Sequence, residues 1–102
     1  GGRVLDGVPA TATVLPAIAD AVGNDAEVLV DGGIRSGLDV FRALALGANG
    51  CLVCRPFVVA IFGGGEQGAR DYLRQLAGEL SDAMEMCGAA TVADIRPDML
   101  YR

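Results

Sequence analysis

The segment Val28–Asp39 constrains the fold of this chain more than any other, because an apolar run meets two glycines and then a helix start. Gly32 and Gly33 can adopt backbone angles that residues with a Cβ resist, so successive N–H groups can point into one concavity. Ser36–Asp39 has the spacing of a capping box, and Arg35 adds a permanent positive charge. The pattern predicts a strand, a phosphate-binding turn and a helix. The alternative is an ordinary turn with a solvated arginine.

A second apolar run, Cys51 to Val53 or Cys54, follows a helix predicted over Val40–Leu46. Together with a first strand over Glu27–Val30, this order predicts a βαβ unit, whose two strands are parallel when they share a sheet. The carboxyl ends of parallel neighbours lie side by side, about 4.8 Å apart. Arg35 follows the first strand and Arg55 the second, so we expect both side chains to reach the same small anion.

Helical periodicity predicts a further helix on each side of this unit. The first spans Pro9–Val22, with Pro16 opening its main segment and Gly23 ending it. The second begins at Pro56, breaks at Gly63–Gly65 and continues over Glu66–Cys87. We expect an apolar stripe of the second helix to pack on a core; its members are Tyr72, Leu73, Leu76, Leu80, Met84 and Cys87. In the tail, Thr91–Asp94 has capping-box spacing and Pro97 marks another helix start.

Composition restricts the classes of partner. The 102 residues are 52% hydrophobic and carry a net charge of -5, which suits one globular unit and disfavours nucleic acid or an anionic membrane surface. No apolar run is long enough to cross a bilayer, and the first residues lack a signal-peptide pattern. We therefore expect a soluble cytoplasmic protein, which begins abruptly, as if cut from a longer one.

Three cysteines are present, and Cys51 and Cys54 have the Cys-x-x-Cys spacing of redox and zinc sites. The chain has no second such pair and no histidine. The pair also lies in an apolar, strand-like run. We therefore predict buried thiols rather than a metal or redox site.

Several motifs carry a family resemblance. They are Gly1-Gly-Arg3-Val-Leu-Asp6 followed by Val8-Pro9-Ala-Thr11, then Asp31-Gly-Gly-Ile-Arg35, Ala43-Leu-Ala-Leu-Gly47-Ala48 and Arg55-Pro56. In this order and spacing they resemble the C-terminal part of the FMN-dependent α-hydroxy acid oxidases and dehydrogenases, the glycolate oxidase and L-lactate oxidase group. The stretches Asp31–Arg35 and Ala43–Ala48 are also similar to type 2 isopentenyl diphosphate isomerase and IMP dehydrogenase. The first motif is the one specific to the hydroxy acid group.

The resemblance implies an α/β fold in which residues 1–102 are the C-terminal part of a (β/α)8 barrel, about its last two βα units and a C-terminal helix. FMN would lie at the carboxyl ends of the strands, where the last two loops commonly hold a phosphate. The family's FMN phosphate ligands correspond to Asp31, Gly32, Gly33, Arg35 and Arg55. Cys54 stands where the family has a glycine, which affects how closely a phosphate approaches the backbone.

The resemblance also implies the chemistry, which is oxidation of a small 2-hydroxy acid to the 2-oxo acid. Arg3 matches the arginine that holds the substrate carboxylate, in a loop that we expect to lie away from the phosphate turns. The alternative for Arg3 is a surface pair with Asp6. The family's catalytic histidine would immediately precede Gly1.

Two alternatives to this function stay open. One is a different phosphate-binding barrel, of the isomerase or IMP dehydrogenase type. The other is a catalytically silent structural fragment. For the isolated chain we expect no turnover, poor FMN affinity and self-association into a homo-oligomer through open strand edges.

Overall fold

A computed structural model describes residues 2–101, which form one βαβ unit with further helices packed on it. The elements are α1 (Thr11–Val22), β1 (Leu29–Val30), α2 (Gly37–Ala45), β2 (Gly50–Cys51) and α3 (Arg55–Cys87), followed by 3-10 helices over Val92–Asp94 and Pro97–Met99. The strands are parallel, with Leu29 opposite Gly50 and Val30 opposite Cys51. The predicted parallel βαβ unit is confirmed. Residues 2–101 contain no closed barrel.

Both strands are shorter than predicted, and β2 begins one residue earlier, at Gly50. Before β1, the chain pairs through a side chain where the ladder would have continued. The Val28 N–H donates to Asn49 Oδ1 at 2.7 Å, and the Asn49 N–H donates to the Val28 carbonyl at 2.7 Å. At the other end, the Leu52 N–H donates to the Val30 carbonyl at 2.9 Å. The backbone therefore stays paired beyond the two residues of each regular strand.

The helix boundaries correct two predictions. Pro16 lies inside α1 rather than at its start, and because proline has no N–H, the helix continues through it without one of its hydrogen bonds. The helix ends at Gly23 as predicted. Helix α2 begins three residues before the predicted Val40, since Ser36 caps it directly.

Helix α3 contains the predicted break. Gly65 has φ +59° and ψ -146°, which is outside helical geometry, so the helix consists of two segments. The segments cross closely, because a Cβ at Gly68 would overlap the carbonyl oxygen of Ala60. The tail follows the predicted capping pattern: the Thr91 N–H donates to Asp94 Oδ2 at 2.9 Å.

Helix α2 lies between two apolar clusters. One cluster joins it to α1 and β1 through Leu15, Val30, Ala43 and Ala48. The other joins it to the second segment of α3 and to the tail through Phe41, Ala45, Ala89 and Ile95, with Leu80 and Met84 packed against them. The predicted stripe of α3 is thus only partly correct, because Leu73 and Cys87 are exposed although they lie on the same helical face as Leu76, Leu80 and Met84.

Candidate functional site

The loop between β1 and α2 turns through two glycines. Gly32 has φ +93° and Gly33 has φ +78°, values that only glycine adopts readily. The loop is anchored at its start by Thr11, whose hydroxyl donates to the Asp31 carbonyl at 2.6 Å. A Cβ at Gly32 would stand 3.1 Å from that same hydroxyl oxygen. The close approach of Thr11 thus gives a second reason for glycine at this position.

The end of the loop is held by the cap of α2. Ser36 Oγ accepts from the Asp39 N–H at 3.1 Å, which is one half of the predicted capping box. The other half differs, because Asp39 Oδ2 accepts from the Arg35 N–H at 3.1 Å rather than from Ser36. Tyr72 on α3 donates its hydroxyl to the Arg35 carbonyl at 2.6 Å. The Arg35 backbone is therefore fixed at both its N–H and its carbonyl, while its side chain is exposed.

The second strand leads into α3 through Leu52–Cys54. The Cys54 carbonyl accepts from the Phe57 N–H at 3.0 Å and from the Val58 N–H at 3.2 Å, which starts the helix. Arg55 is the first helical residue and is exposed.

The cysteines depart from the prediction of buried thiols. Cys51 is half-buried against the first apolar cluster, and burial raises the pKa of its thiol. Cys54 is exposed, so the prediction is wrong for this member of the pair, and Cys87 on α3 is exposed as well. Cys54 is exposed because it lies beyond the strand, at the helix cap, where no layer covers it. All three thiols are free, and within residues 2–101 no group of three or more Asp, Glu or Cys side chains is placed to hold a metal ion.

The strand ends and the N-terminal loop border one open hollow with a volume of about 880 Å³. Three segments line it: Gly2–Arg3, Asp31–Arg35 and Leu52–Pro56. Every sequence-predicted site residue is in this lining, namely Arg3, Asp31, Gly32, Gly33, Arg35, Cys54 and Arg55. The N-terminal loop, which we expected to lie away from the phosphate turns, borders the same hollow as they do. A ligand in the hollow could therefore contact the N-terminal loop and the phosphate turns at the same time.

The electrostatics of the hollow favour an anion. Of its charged side chains, Arg3, Arg35 and Arg55 are positive and Asp31 is negative. Within the described part of the chain, none of the three arginines forms an ion pair with a carboxylate, so the alternative pairing of Arg3 with Asp6 is not formed. Unpaired guanidinium groups offer several donors each and suit phosphate or carboxylate oxygens.

Two residues that support the site, Thr11 and Tyr72, are not identified by the sequence analysis. Thr11 was noted only as part of a motif, and Tyr72 only as a member of the apolar stripe. A tyrosine in such a stripe does carry a signal, because a hydroxyl near a packed surface usually finds a hydrogen-bond partner. The identity of that partner requires the fold, since Arg35 is 37 residues away. No helix formed by residues 2–101 has the length and hydropathy needed to cross a membrane.

Comparison with known proteins gives consistent matches along the chain. Residues 1–102 match the family model described as FMN-dependent dehydrogenase. The chain is 56% identical over 100 residues to an L-lactate oxidase from Roseobacter sp. (strain GAI101), covering 98% of this chain and 27% of that protein. It is 52% identical over 102 residues to an L-lactate dehydrogenase from Pectobacterium atrosepticum, covering 100% of this chain and 26% of that protein.

A solved structure supports the same relationship. A mandelate oxidase variant with a monooxide FMN adduct superposes with a TM-score of 0.90 at 47% identity, covering 93% of this chain and 30% of that chain. The present chain spans about a quarter of the length of the curated relatives that it matches.

Proposed function

This chain belongs to the FMN-dependent dehydrogenase family, and from that premise we propose that it is the C-terminal segment of an enzyme that oxidises small 2-hydroxy acids to 2-oxo acids. The names of its relatives support a 2-hydroxy acid substrate such as lactate, since they include L-lactate oxidase, L-lactate dehydrogenase and mandelate oxidase. One observation carries the proposal for this chain. Three unpaired arginines border a single hollow at the carboxyl ends of two parallel strands.

The proposal includes the fold of the whole enzyme. We infer that α1, the βαβ unit and α3 are the last part of a (β/α)8 barrel, and that residues 1–102 belong to that one domain. In such barrels the loops after the last two strands frequently bind a phosphate. The two loops that follow β1 and β2 correspond to that position; Arg35 lies in the first loop and Arg55 directly after the second, and neither is paired within the described residues.

We assign the FMN phosphate to the turn Asp31–Gly33 with Arg35 and Arg55. The positive φ angles of the glycine pair suit a backbone that turns its N–H groups toward an anion, and the two arginines supply charge-assisted donors. Cys54 borders the same position, so its side chain limits how closely the phosphate approaches. When bound, FMN supplies the redox chemistry by accepting the hydride equivalent from the substrate.

We assign the substrate carboxylate to Arg3. Its loop forms a wall of the hollow separate from the two strand-end loops, so its guanidinium can serve a second anion beside the phosphate. A planar fork of donors matches a carboxylate in a bidentate geometry, which orients the α carbon. This chain has no histidine, and we propose that the base which removes the substrate proton lies outside these 102 residues.

Self-association is part of the same proposal. The first segment of α3 carries apolar side chains that nothing within residues 2–101 covers: Val59 is 72% exposed and Phe62 is 89% exposed. Exposed apolar side chains in one segment are typical of contact surfaces. We propose that they are covered in the enzyme and cause the isolated chain to associate with itself.

The proposed function is tested by completing the enzyme. This chain is joined to the upstream three quarters of the Roseobacter L-lactate oxidase, and FMN content and L-lactate oxidation are measured. We expect the chimera to bind FMN and turn over. Arg3→Lys keeps the charge but loses the fork, so kcat/KM should fall about tenfold to a hundredfold while FMN content stays constant.

The matched control is Arg74→Lys on the outer face of α3, which should leave both quantities unchanged. A chimera that binds FMN but oxidises no 2-hydroxy acid would contradict the proposed reaction. Loss of FMN rather than of kcat/KM in Arg3→Lys would show that Arg3 serves the cofactor and not the substrate.

A further inference from the structure

Tyr72 contacts both the loop that carries Arg35 and the first turn of α3, which carries Arg55. It lies in the second segment of α3, after the break at Gly65. Its hydroxyl donates to the Arg35 carbonyl at 2.6 Å. Its ring meets the ring of Phe57 edge-on, with centroids 4.9 Å apart and an angle of 78° between the planes. Phe57 is two residues after Arg55, in the first turn of α3, so one side chain bridges the backbone of Arg35 and the helix start that carries Arg55.

The Arg35 loop and the start of α3 are not joined by a more direct hydrogen bond. In the described structure, no direct hydrogen bond joins residues 31–36 to residues 52–57. Below them, the backbone pairing of the two strands ends with the hydrogen bond from the Leu52 N–H to the Val30 carbonyl. The relative position of the Arg35 and Arg55 backbones therefore depends strongly on the side chain that touches both sides.

The chemistry of the hydroxyl suits a permanent donor. Burial raises the pKa of Tyr72, and the carboxylates of Glu79 and Asp39 raise it further, against the opposing effect of the Arg35 charge. The hydroxyl is therefore protonated throughout the neutral range and keeps its hydrogen bond. Asp39 holds the N–H of Arg35 on the other side, so the backbone from which the Arg35 side chain projects is fixed from two directions.

We propose that Tyr72 is a positioning residue that sets the spacing of Arg35 and Arg55 for one phosphate group. The inference rests on the proposed function, in which these two arginines bind the FMN phosphate. Charge-assisted hydrogen bonds depend steeply on distance and angle, so a shift of one loop against the other weakens the phosphate contacts without removing either arginine. Tyr72 touches neither the phosphate nor the substrate in this proposal.

The experiment titrates the 102-residue chain with FMN and, separately, with riboflavin, which lacks the phosphate. NMR shifts of the Gly32, Gly33 and Arg35 amides report binding even when it is weak. Tyr72→Phe keeps the ring on Phe57 and removes only the hydroxyl. We expect its FMN affinity to fall about fivefold to tenfold, with riboflavin affinity unchanged. Tyr101→Phe is the matched control, because Tyr101 is fully exposed in the tail, and it should change neither affinity.

A second variant tests the other end of the bridge. Phe57→Leu leaves the hydroxyl bond in place but removes the edge-on ring contact, and it should also lower the ratio of FMN affinity to riboflavin affinity. This variant decides the matter if Tyr72→Phe proves to be unfolded by circular dichroism.

The outcomes separate the two proposals. If the unmodified chain binds FMN no more tightly than riboflavin, the phosphate assignment is wrong and the role of Tyr72 falls with it. If the unmodified chain prefers FMN, but the folded variants keep the full preference or lose both affinities equally, Tyr72 has only a structural role and the inference is overturned.

Discussion

The hollow at the strand ends and the outer face of α3 use the same residue type in opposite ways. On α3, Arg70 pairs with Glu66 and Arg74 lies 4.0 Å from Asp71, and all four side chains are largely exposed. Around the hollow, Arg3, Arg35 and Arg55 have no carboxylate partner within the described residues. Acidic side chains outnumber basic ones by 13 to 8, so the unpaired arginines do not result from a shortage of carboxylates.

The two regions differ in which part of the arginine the structure holds in place. On α3 the partner of each arginine is one turn away, so helix geometry alone forms the pair. At the hollow, the structure fixes the backbone of the loop through Thr11, Asp39 and Tyr72 but leaves the Arg35 side chain free. A held backbone with an unpaired charged side chain is what a binding site requires, because the donors are placed in advance and still available. Arginine pairing thus distinguishes the proposed binding region from the solvated surface.

The largest expected effect comes from removing the unpaired charge. In the chimeric enzyme, replacing both Arg35 and Arg55 by alanine should weaken FMN binding more than a hundredfold, since each arginine contributes about 1.5 to 3 kcal/mol to a charge-assisted contact. Titration with FMN and riboflavin measures the effect, and riboflavin affinity should change little. The matched control replaces Arg70 and Arg74 by alanine and should leave FMN affinity unchanged. Equal losses for FMN and riboflavin would contradict the clamp.

A second effect concerns the packing that holds the loop beside α3. Gly37 begins α2, and a Cβ there would overlap the Leu76 carbonyl oxygen and the Leu80 nitrogen. Gly37→Ala should therefore lower the free energy of unfolding by about 1 to 3 kcal/mol, as measured by urea denaturation. Gly78→Ala is the control on the outer face, where a Cβ meets open space, and it should raise stability by about 0.5 to 1 kcal/mol. Similar stabilities for the two variants would mean that α2 can move away from α3 at little cost.

The features predictable from the sequence are those that depend on local pattern. The helix ends at Gly23 and Gly88 and the break at Gly65 follow from glycine in helical periodicity, and the parallel unit follows from its strand–helix–strand order. Placement of Arg35 and Arg55 at one edge follows in turn, because parallel strands end on the same side. For that reason Arg35 and Arg55 border the same hollow.

The features that could not be predicted depend on contacts distant in sequence. The start of β1 depends on the Asn49 side chain, which replaces a ladder bond, and the anchoring of Arg35 depends on Tyr72. The exposure of Cys54 depends on which elements cover the strand ends, and the apolar run around it carries no information on that. Pro16 within α1 is of the same kind, because packing of Leu15 on the core stabilises a helix that proline alone would disfavour.

The smallest expected effect belongs to the paired arginines of the outer face. Glu66 precedes Arg70 by four residues, the favourable order for an ion pair on a helix, and Arg70 Nε lies 3.2 Å from Glu66 Oε1. Because both side chains are exposed, Arg70→Ala should cost about 0.3 to 0.5 kcal/mol of unfolding free energy. A double-mutant cycle with Glu66→Ala measures the coupling, which should vanish near 1 M salt through screening. FMN affinity should not change, and a loss approaching that of the variant without Arg35 and Arg55 would show that pairing does not separate the two regions.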